Sequence, residues 1–318
     1  MRQIEDFLVC PKCHNKLQHL QDSLVCSGCC AGYDLTDGIP IMFSSRKKAG
    51  GRISSFENED EDIDKDYIIN YYSQITDILD AQYGRFIKFM NCGYVPNENR
   101  QYSTVDLYSE KLERNSIKLL LEVVGQIDCS GKDIIEIGCG RGGNGYYLNR
   151  FFTPRLIIGI DICLANIISC CKMKIANAAY CVADAELLPF ASESFDIALN
   201  IESSFHYPNL TDFYQNVYRV LKQDGYFFYA DVLPIQKFRE IEILFSSIGF
   251  QIVRSQDITS NVLLSFEKMA GGNVGVNEQR LKKILALEDS RNYKHMKRGE
   301  AEYRIYTARK HSEVAKID

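Results

Sequence analysis

The stretch Asp133–Gly145, DIIEIGCGRGGNG, decides the reading of this chain. Four isoleucine or aspartate positions around a single glutamate make a short apolar run. Glycines then crowd the next eight residues. A buried strand entering a glycine turn that opens a helix lets a ligand approach the backbone and aims helix N–H groups at it. Gly138, Gly140 and Gly143 satisfy the dinucleotide fingerprint G-x-G-x-x-G, and Gly138, Gly140 and Gly142 equally satisfy G-x-G-x-G. The turn alone therefore does not select its ligand, and the surrounding residues have to.

Further short apolar runs follow at regular intervals: LIIGI (Leu156–Ile160), AYCV (Ala179–Val182), FDIALNI (Phe195–Ile201) and GYFFYA (Gly225–Ala230). Helix-like stretches alternate with them, and later come FQIVRSQ and AEYRIYTARK. Continuously apolar strands alternating with helices predict a doubly wound α/β sheet, Rossmann-like and parallel, with helices on both faces. Ligands of such sheets sit outside the carboxyl ends of the strands, so the residues just after each run are the candidates.

Asp161, about twenty residues after the glycine turn, is placed to accept from ribose hydroxyls, with Ile162 beside it. Asp184, in ADAELLPF, can accept from an adenine amino group, with Ala185 and Glu186 adjoining. Asn200 and Glu202 end the fourth run. Glu136 separates the two cofactor classes. A carboxylate two residues before the first glycine repels a pyrophosphate but suits a ligand carrying an ammonium and a sulfonium. The ordered set E-x-G-x-G-x-G, acid, D-A-E-x-L-P-F and F-D-[IV] resembles the class I S-adenosylmethionine (SAM) methyltransferases over roughly Asp106 to Asp231. That resemblance implies a seven-stranded methyltransferase sheet and SAM as cofactor.

The flanks narrow the resemblance. YYSQITDILDAQYG, then NCGYV, and NIESSFHYPNLTDFYQNVYRVLKQDGYFFYADV are similar to the phthiotriol and erythromycin type of small-molecule O-methyltransferase. Tyr83-Gly84 and Asn91-Cys92-Gly93-Tyr94 stand where that group has W-G and H-F-G-Y. The resemblance implies methyl transfer to a hydroxyl of a polyketide, lipid or other natural product. Tyr72 and Tyr94 are candidates for an aromatic wall on the sulfonium side. An alcohol needs to lose its proton, and His206 is the histidine expected at the carboxyl edge of the sheet, with Asp231 to orient it. The group's histidine directly follows E-S-S, whereas here Phe205 intervenes.

The N-terminus carries a different pattern. Five of the twelve cysteines fall in the first thirty residues. Cys10 and Cys13 form one C-x-x-C knuckle, and Cys26 and Cys29 a second. Two such knuckles supply the tetrahedral thiolate shell of a structural zinc site, with Cys30 as a neighbouring competitor for the fourth position. With the hairpin between the knuckles and the segment Tyr33–Pro40, the first forty residues resemble the Trm112-like zinc ribbons. That family's modules are structural or docked on methyltransferases, so a protein partner through the ribbon is one implication.

The expected organisation is a ribbon over 1–43, a polar linker over 44–66 and a methyltransferase domain over 67–318. Net charge is −5, with pI near 5.7. That provides no general basic field, so nucleic acid is not the expected partner, although a ribbon-guided RNA-base methyltransferase and a non-catalytic binding protein are the rival readings. No apolar run is long enough to span a membrane, and no charged-then-apolar leader is seen, so the cytoplasm is the expected location.

Overall fold

The computed structural model describes residues 2–43, 64–96, 107, 113–271 and 291–311. Most of the expected linker, residues 44–63, lies outside the described residues, as does part of the region between Asp257 and Arg298.

Seven strands reproduce the expected sheet: β5 (Asp133–Ile137), β6 (Leu156–Asp161), β7 (Ala178–Val182), β8 (Phe195–Ile201), β9 (Leu221–Pro234), β10 (Phe250–Asp257) and β11 (Ala301–Lys310). Their order is β7-β6-β5-β8-β9-β11-β10. β5 to β9 run parallel, and β11 inserts antiparallel between β9 and β10. The chain steps outward from β5 to β7 and then returns to β8, so a topological switch lies between β5 and β8.

Alternation along each strand divides the core. Ile135, Ile137, Ile158, Ile160 and Phe227 face one layer, with Phe213, Tyr214 and Phe245 from the helices Leu210–Val220 and Ile235–Ile248. Ile134, Ile157, Leu199 and Phe228 face the other, with Leu120 and Val123 of helix Arg114–Val124. Both faces are covered, which is why these strands read as apolar throughout.

The N-terminal segment forms the expected small module in front of the sheet and also joins it. Its strands β1 (Leu17–Leu20), β2 (Ser23–Cys26), β3 (Gly32–Thr36) and β4 (Ile39–Ile41) continue the main sheet to eleven strands. β4 runs parallel to β7, pairing Ile41 with Val182, and the Met42 N–H donates to the Val182 carbonyl at 2.7 Å. The Val9 N–H donates to Pro189 O, and Phe7 stacks on Phe195 with ring centroids 5.6 Å apart. Ile4, Leu8, Tyr33 and Met42 share one apolar cluster with Leu188, Phe190 and Phe195. At about 1.5–3 kcal/mol for each fully buried large apolar side chain, this contact holds the ribbon rather than tethering it.

The helix Lys65–Tyr83 lies over the carboxyl end of the sheet. Its Asp64 N-cap accepts from the Tyr67 N–H. Arg141, from the glycine turn, fastens it there. This buried guanidinium donates to Ile87 O at 2.9 Å, Gly84 O at 3.0 Å and Thr76 O at 3.3 Å, and pairs with Asp80 at 2.8 Å. No helix among the described residues is long and apolar enough to cross a membrane.

Arg141→Met is expected to lower stability by about 2–4 kcal/mol, because it strands three carbonyls and a partly buried carboxylate. Urea unfolding checks this. Arg141→Lys should recover little, since one ammonium cannot reach the same three carbonyls.

Candidate active site

A cleft opens at the switch point, outside the carboxyl ends of β5 to β8, with about 990 Å³ of empty space counted together with the solvent at its mouth.

The glycine turn forms its floor, held from beneath by two carboxylates. Asp161 accepts from the Gly140 N–H and the Cys163 N–H, both at 2.9 Å. Glu136 accepts from Asn144 Nδ2 at 3.0 Å and the Gly145 N–H at 3.1 Å. Burial pushes Glu136 up to about 8, and raises Asp161 as well, against the hydrogen bonds that lower both. Gly138 has φ +70°, and a Cβ there would lie 2.0 Å from Ser203 Oγ, so no side chain fits between β5 and the Ser203 turn.

Several expected residues line the cleft: Tyr72, Gly138, Gly140, Asp161, Ile162, Asp184, Ala185, Glu202 and His206. Others are placed differently. Glu136 does not line the cleft. It is 1% exposed and works under the loop, so its influence on a ligand passes through Asn144 and the Gly145 amide. Gly142 sits behind the turn, where a Cβ would meet Met173 and Cys170. The Asn200 amide is buried against Ile137 O and the Tyr207 hydroxyl. Tyr94 is buried in the second apolar layer and is not among the residues that line the cleft. Glu186 reaches Lys65 and the Asn209 N–H instead of the cleft. Asp184 is held by Lys65 Nζ at 2.5 Å and by the Glu186 N–H at 3.0 Å, so a ligand amino group would share an already paired carboxylate.

The imidazole of His206 bonds through Nε2 to the Tyr72 hydroxyl at 2.8 Å, and its Nδ1 is buried with no partner. Desolvation pushes it down to about 3, so the ring is neutral at physiological pH. The expected direct pairing with Asp231 is corrected. Asp231 is fully buried and accepts from Ser204 Oγ at 2.6 Å, the Ser204 N–H at 2.9 Å, the Phe205 N–H at 3.2 Å and the Val232 N–H at 2.8 Å. It shapes the 3₁₀ turn Ser204–His206 that carries the histidine. Glu202, with φ +51°, accepts from the Cys92 N–H at 2.9 Å and the Tyr303 hydroxyl at 2.9 Å, and burial raises it.

Sequence reasoning missed Lys88, Phe89 and Met90 of the strap Lys88–Asn91, and noted Asn91 only within a motif. Phe89 packs on Gly143 and Met90 on Gly140, and both line the cleft with Asn91. The strap has no regular structure, so no periodicity marks it. Ser203, Tyr207 and Asn144 were likewise passed over, the last because it sits inside a motif read for its glycines.

Between Cys10 and Cys29 the sulfurs lie 3.6 Å apart, and between Cys13 and Cys26 3.3 Å, all four within 4.8 Å of one another. Cys30 is exposed, has φ +57° and is not in the cluster.

A parallel sheet with a switch point, a glycine turn on two buried carboxylates and an acid after the second parallel strand define a nucleoside-binding α/β protein of the methyltransferase type. Residues 135–229 match the family described as Methyltransferase domain. The chain is 31% identical over 208 residues to the phthiotriol/phenolphthiotriol dimycocerosates methyltransferase of Mycobacterium leprae, covering 63% of this chain and 77% of the relative. It is 32% identical over 231 residues to a fatty-acid O-methyltransferase of Mycolicibacterium smegmatis, covering 69% and 82%. Among solved structures, the [4+2]-cyclase SpnF superposes with a TM-score of 0.58 at 19% identity, covering 77% of this chain and 96% of that one. A geranyl diphosphate C-methyltransferase from Streptomyces coelicolor, solved with S-adenosyl-L-homocysteine (SAH), gives 0.55 at 16%, covering 76% and 98%. These two show the fold alone. The sequence relatives show the family: this chain belongs to the SAM-dependent methyltransferases.

Proposed function

We propose that the protein transfers the methyl group of SAM to a hydroxyl oxygen of a lipid-like small molecule. The observation that carries this is the make-up of the cleft beyond the glycine turn. Ile68, Phe89, Met90 and Ile201 give it apolar walls, and Tyr72, Glu202 and His206 gather polar groups on one side. A long apolar acceptor with one reactive oxygen suits such a surface. The names of the relatives agree in kind, one methylating a fatty acid at oxygen and the other acting on phthiotriol-type lipids.

SAM supplies a methyl group on a sulfonium that is its own leaving group. The chain's residues position and take the proton. His206 lines the cleft, and with Nε2–H donating to the Tyr72 oxygen its buried Nδ1 carries the free lone pair. An oxygen attacking in line can pass its proton there, but desolvation makes the ring a weak base, so its gain falls below the roughly 10²–10⁴-fold of a base poised near neutral pH. Positive charge then moves from sulfur to imidazole, so the net charge of the cleft is unchanged during the step. The carboxylate of Glu202 is on hand to stabilise it. Asp231 is a positioning residue, acting through the Ser204–Phe205 amides.

Incubation with methyl-labelled SAM and a fractionated extract of the host is expected to label solvent-extractable lipids, with the label on oxygen by mass spectrometry. Label confined to nuclease-sensitive RNA would overturn the proposal.

We further propose that Cys10, Cys13, Cys26 and Cys29 hold a structural zinc ion. A tetrahedral shell with Zn–S near 2.3 Å has sulfur–sulfur edges of about 3.8 Å, close to the separations observed. Metal analysis should find one zinc per chain, and chelation should lower the melting temperature. Metal-free protein of unchanged stability would refute the site.

A further inference from the structure

The two halves of the helix Lys65–Tyr83 are held by different means. Its carboxyl half is clamped. Arg141 donates to the carbonyls of Thr76 and Gly84 and pairs with Asp80, which also pairs with Lys172 at 2.8 Å. Thr76 Oγ1 donates to Asn166 Oδ1 at 2.5 Å. The amino half begins with a lysine. A cation at a helix N-terminus opposes the macrodipole, so Lys65 does not serve the helix itself. Its ammonium instead reaches the loop after β7, where it bonds Asp184 Oδ2 at 2.5 Å and pairs with Glu186. Lys65 and Asp184 both line the cleft, and Glu186 does not.

Glu186 carries the tie further. Its other carboxylate oxygen accepts from the N–H of Asn209, the N-cap of the helix Leu210–Val220, three residues beyond His206. One ammonium thus joins the roof of the cleft to two loops on its far side. The three side chains are 10–16% exposed, so the bridge is partly shielded yet within reach of salt. Burial lowers Lys65, but the two carboxylates raise it by more, so it stays charged. Between the bridge and the clamp, Ile68 and Tyr72 line the cleft, and Tyr72 holds His206. Ile68 is the buried residue of this half, whereas Thr76 and Leu79 are buried in the other. Tyr67 and Tyr71 face solvent. The amino half is therefore the end that can lift.

We propose that Lys65 is a latch: its bridge to Asp184 and Glu186 holds the amino half of the roof helix over the cleft, and its release admits and frees the cofactor while Arg141 keeps the other end fixed. This rests on the cleft being the SAM site. The bridge forms whether the cleft is empty or filled, so loosening it speeds entry and exit alike. Helix and loop closures of this kind govern rates more than affinities.

The test measures SAH binding rates on the full chain by surface plasmon resonance. Lys65→Met and Glu186→Gln are each expected to raise the association and dissociation rates together, by about 5- to 30-fold, the range for losing a partly exposed bond between charged groups. Kd should stay within about twofold. SAH has no net charge, so wild-type rates should climb with salt as the bridge is screened, and those of Lys65→Met should not. Amide hydrogen exchange reads the latch with no ligand present: residues 66–73 should exchange faster in both variants, and residues 76–83 at the wild-type rate. Unchanged exchange, faster exchange along the whole helix, or faster dissociation without faster association would overturn the latch. Wild-type protein that binds no SAH would instead sink the cofactor reading, leaving the exchange pattern to decide whether Lys65 holds the helix. Glutamine at 186 keeps the oxygen that Asn209 needs, so this variant keeps the test available if Lys65→Met does not fold.

Discussion

The glycine turn is held open by two carboxylates beneath it, and the rest of the site follows from that constraint. Glu136 and Asp161 together accept three backbone N–H groups and one side-chain amide. A hydrogen bond to an ionised carboxylate contributes on the order of 1.5–3 kcal/mol, and one to its protonated form nearer 1 kcal/mol. Burial works against them by raising both groups. A carboxylate whose folded pKa is raised favours folding when protonated. Its contribution is therefore fully present below about 4.5 and declines as pH rises through about 8 for Glu136. At neutral pH the site thus carries a cost that a cationic ligand above the turn offsets. The fold accepts lower stability at this point, as sites that bind charge commonly do.

From the turn the constraint spreads outward. Arg141 leaves the same loop to clamp the helix Lys65–Tyr83 and the connection after it. That connection leads into the strap over Gly140 and Gly143, and the strap ends on Glu202. One loop therefore sets both walls of the cleft. On the opposite side, β4 of the ribbon runs beside β7, immediately before Ala183 and Asp184. The ribbon is thus part of the framework beneath the cleft residues Ala183 and Asp184, and its apolar cluster is continuous with the core. SpnF, a cyclase, shares this fold, so methyl transfer rests on the family relationship and the site rather than on the sheet.

Much of this was legible in the sequence. The strands β5, β6 and β8 are short, apolar on both faces and bounded by turns, so their limits could be read to within a residue. Asp161, Asp184, Glu202 and His206 were found because the carboxyl ends of parallel strands are where ligands bind. Three of the residues placed differently share a physical reason. Glu136, Asn200 and Asp231 lie within strands, and the period of two sends their side chains into the protein, where they organise backbone instead of touching ligand. Their polar character marked the site without saying on which side they act. The fusion of ribbon to sheet was hidden because it depends on one short parallel pairing and on apolar residues that no motif singles out. Phe89 and Met90 were invisible for the opposite reason, being irregular chain placed wholly by tertiary contacts.

The most direct test of this account is the affinity for SAH of Glu136→Gln against wild type, by calorimetry, with the fold verified by circular dichroism. Glutamine keeps the volume but offers one acceptor where the carboxylate uses two. The account predicts one site per chain in the wild type and at least about a tenfold loss in the variant, roughly 1.4 kcal/mol or more. A folded variant with wild-type affinity would contradict the claim that the buried carboxylates build the cofactor site.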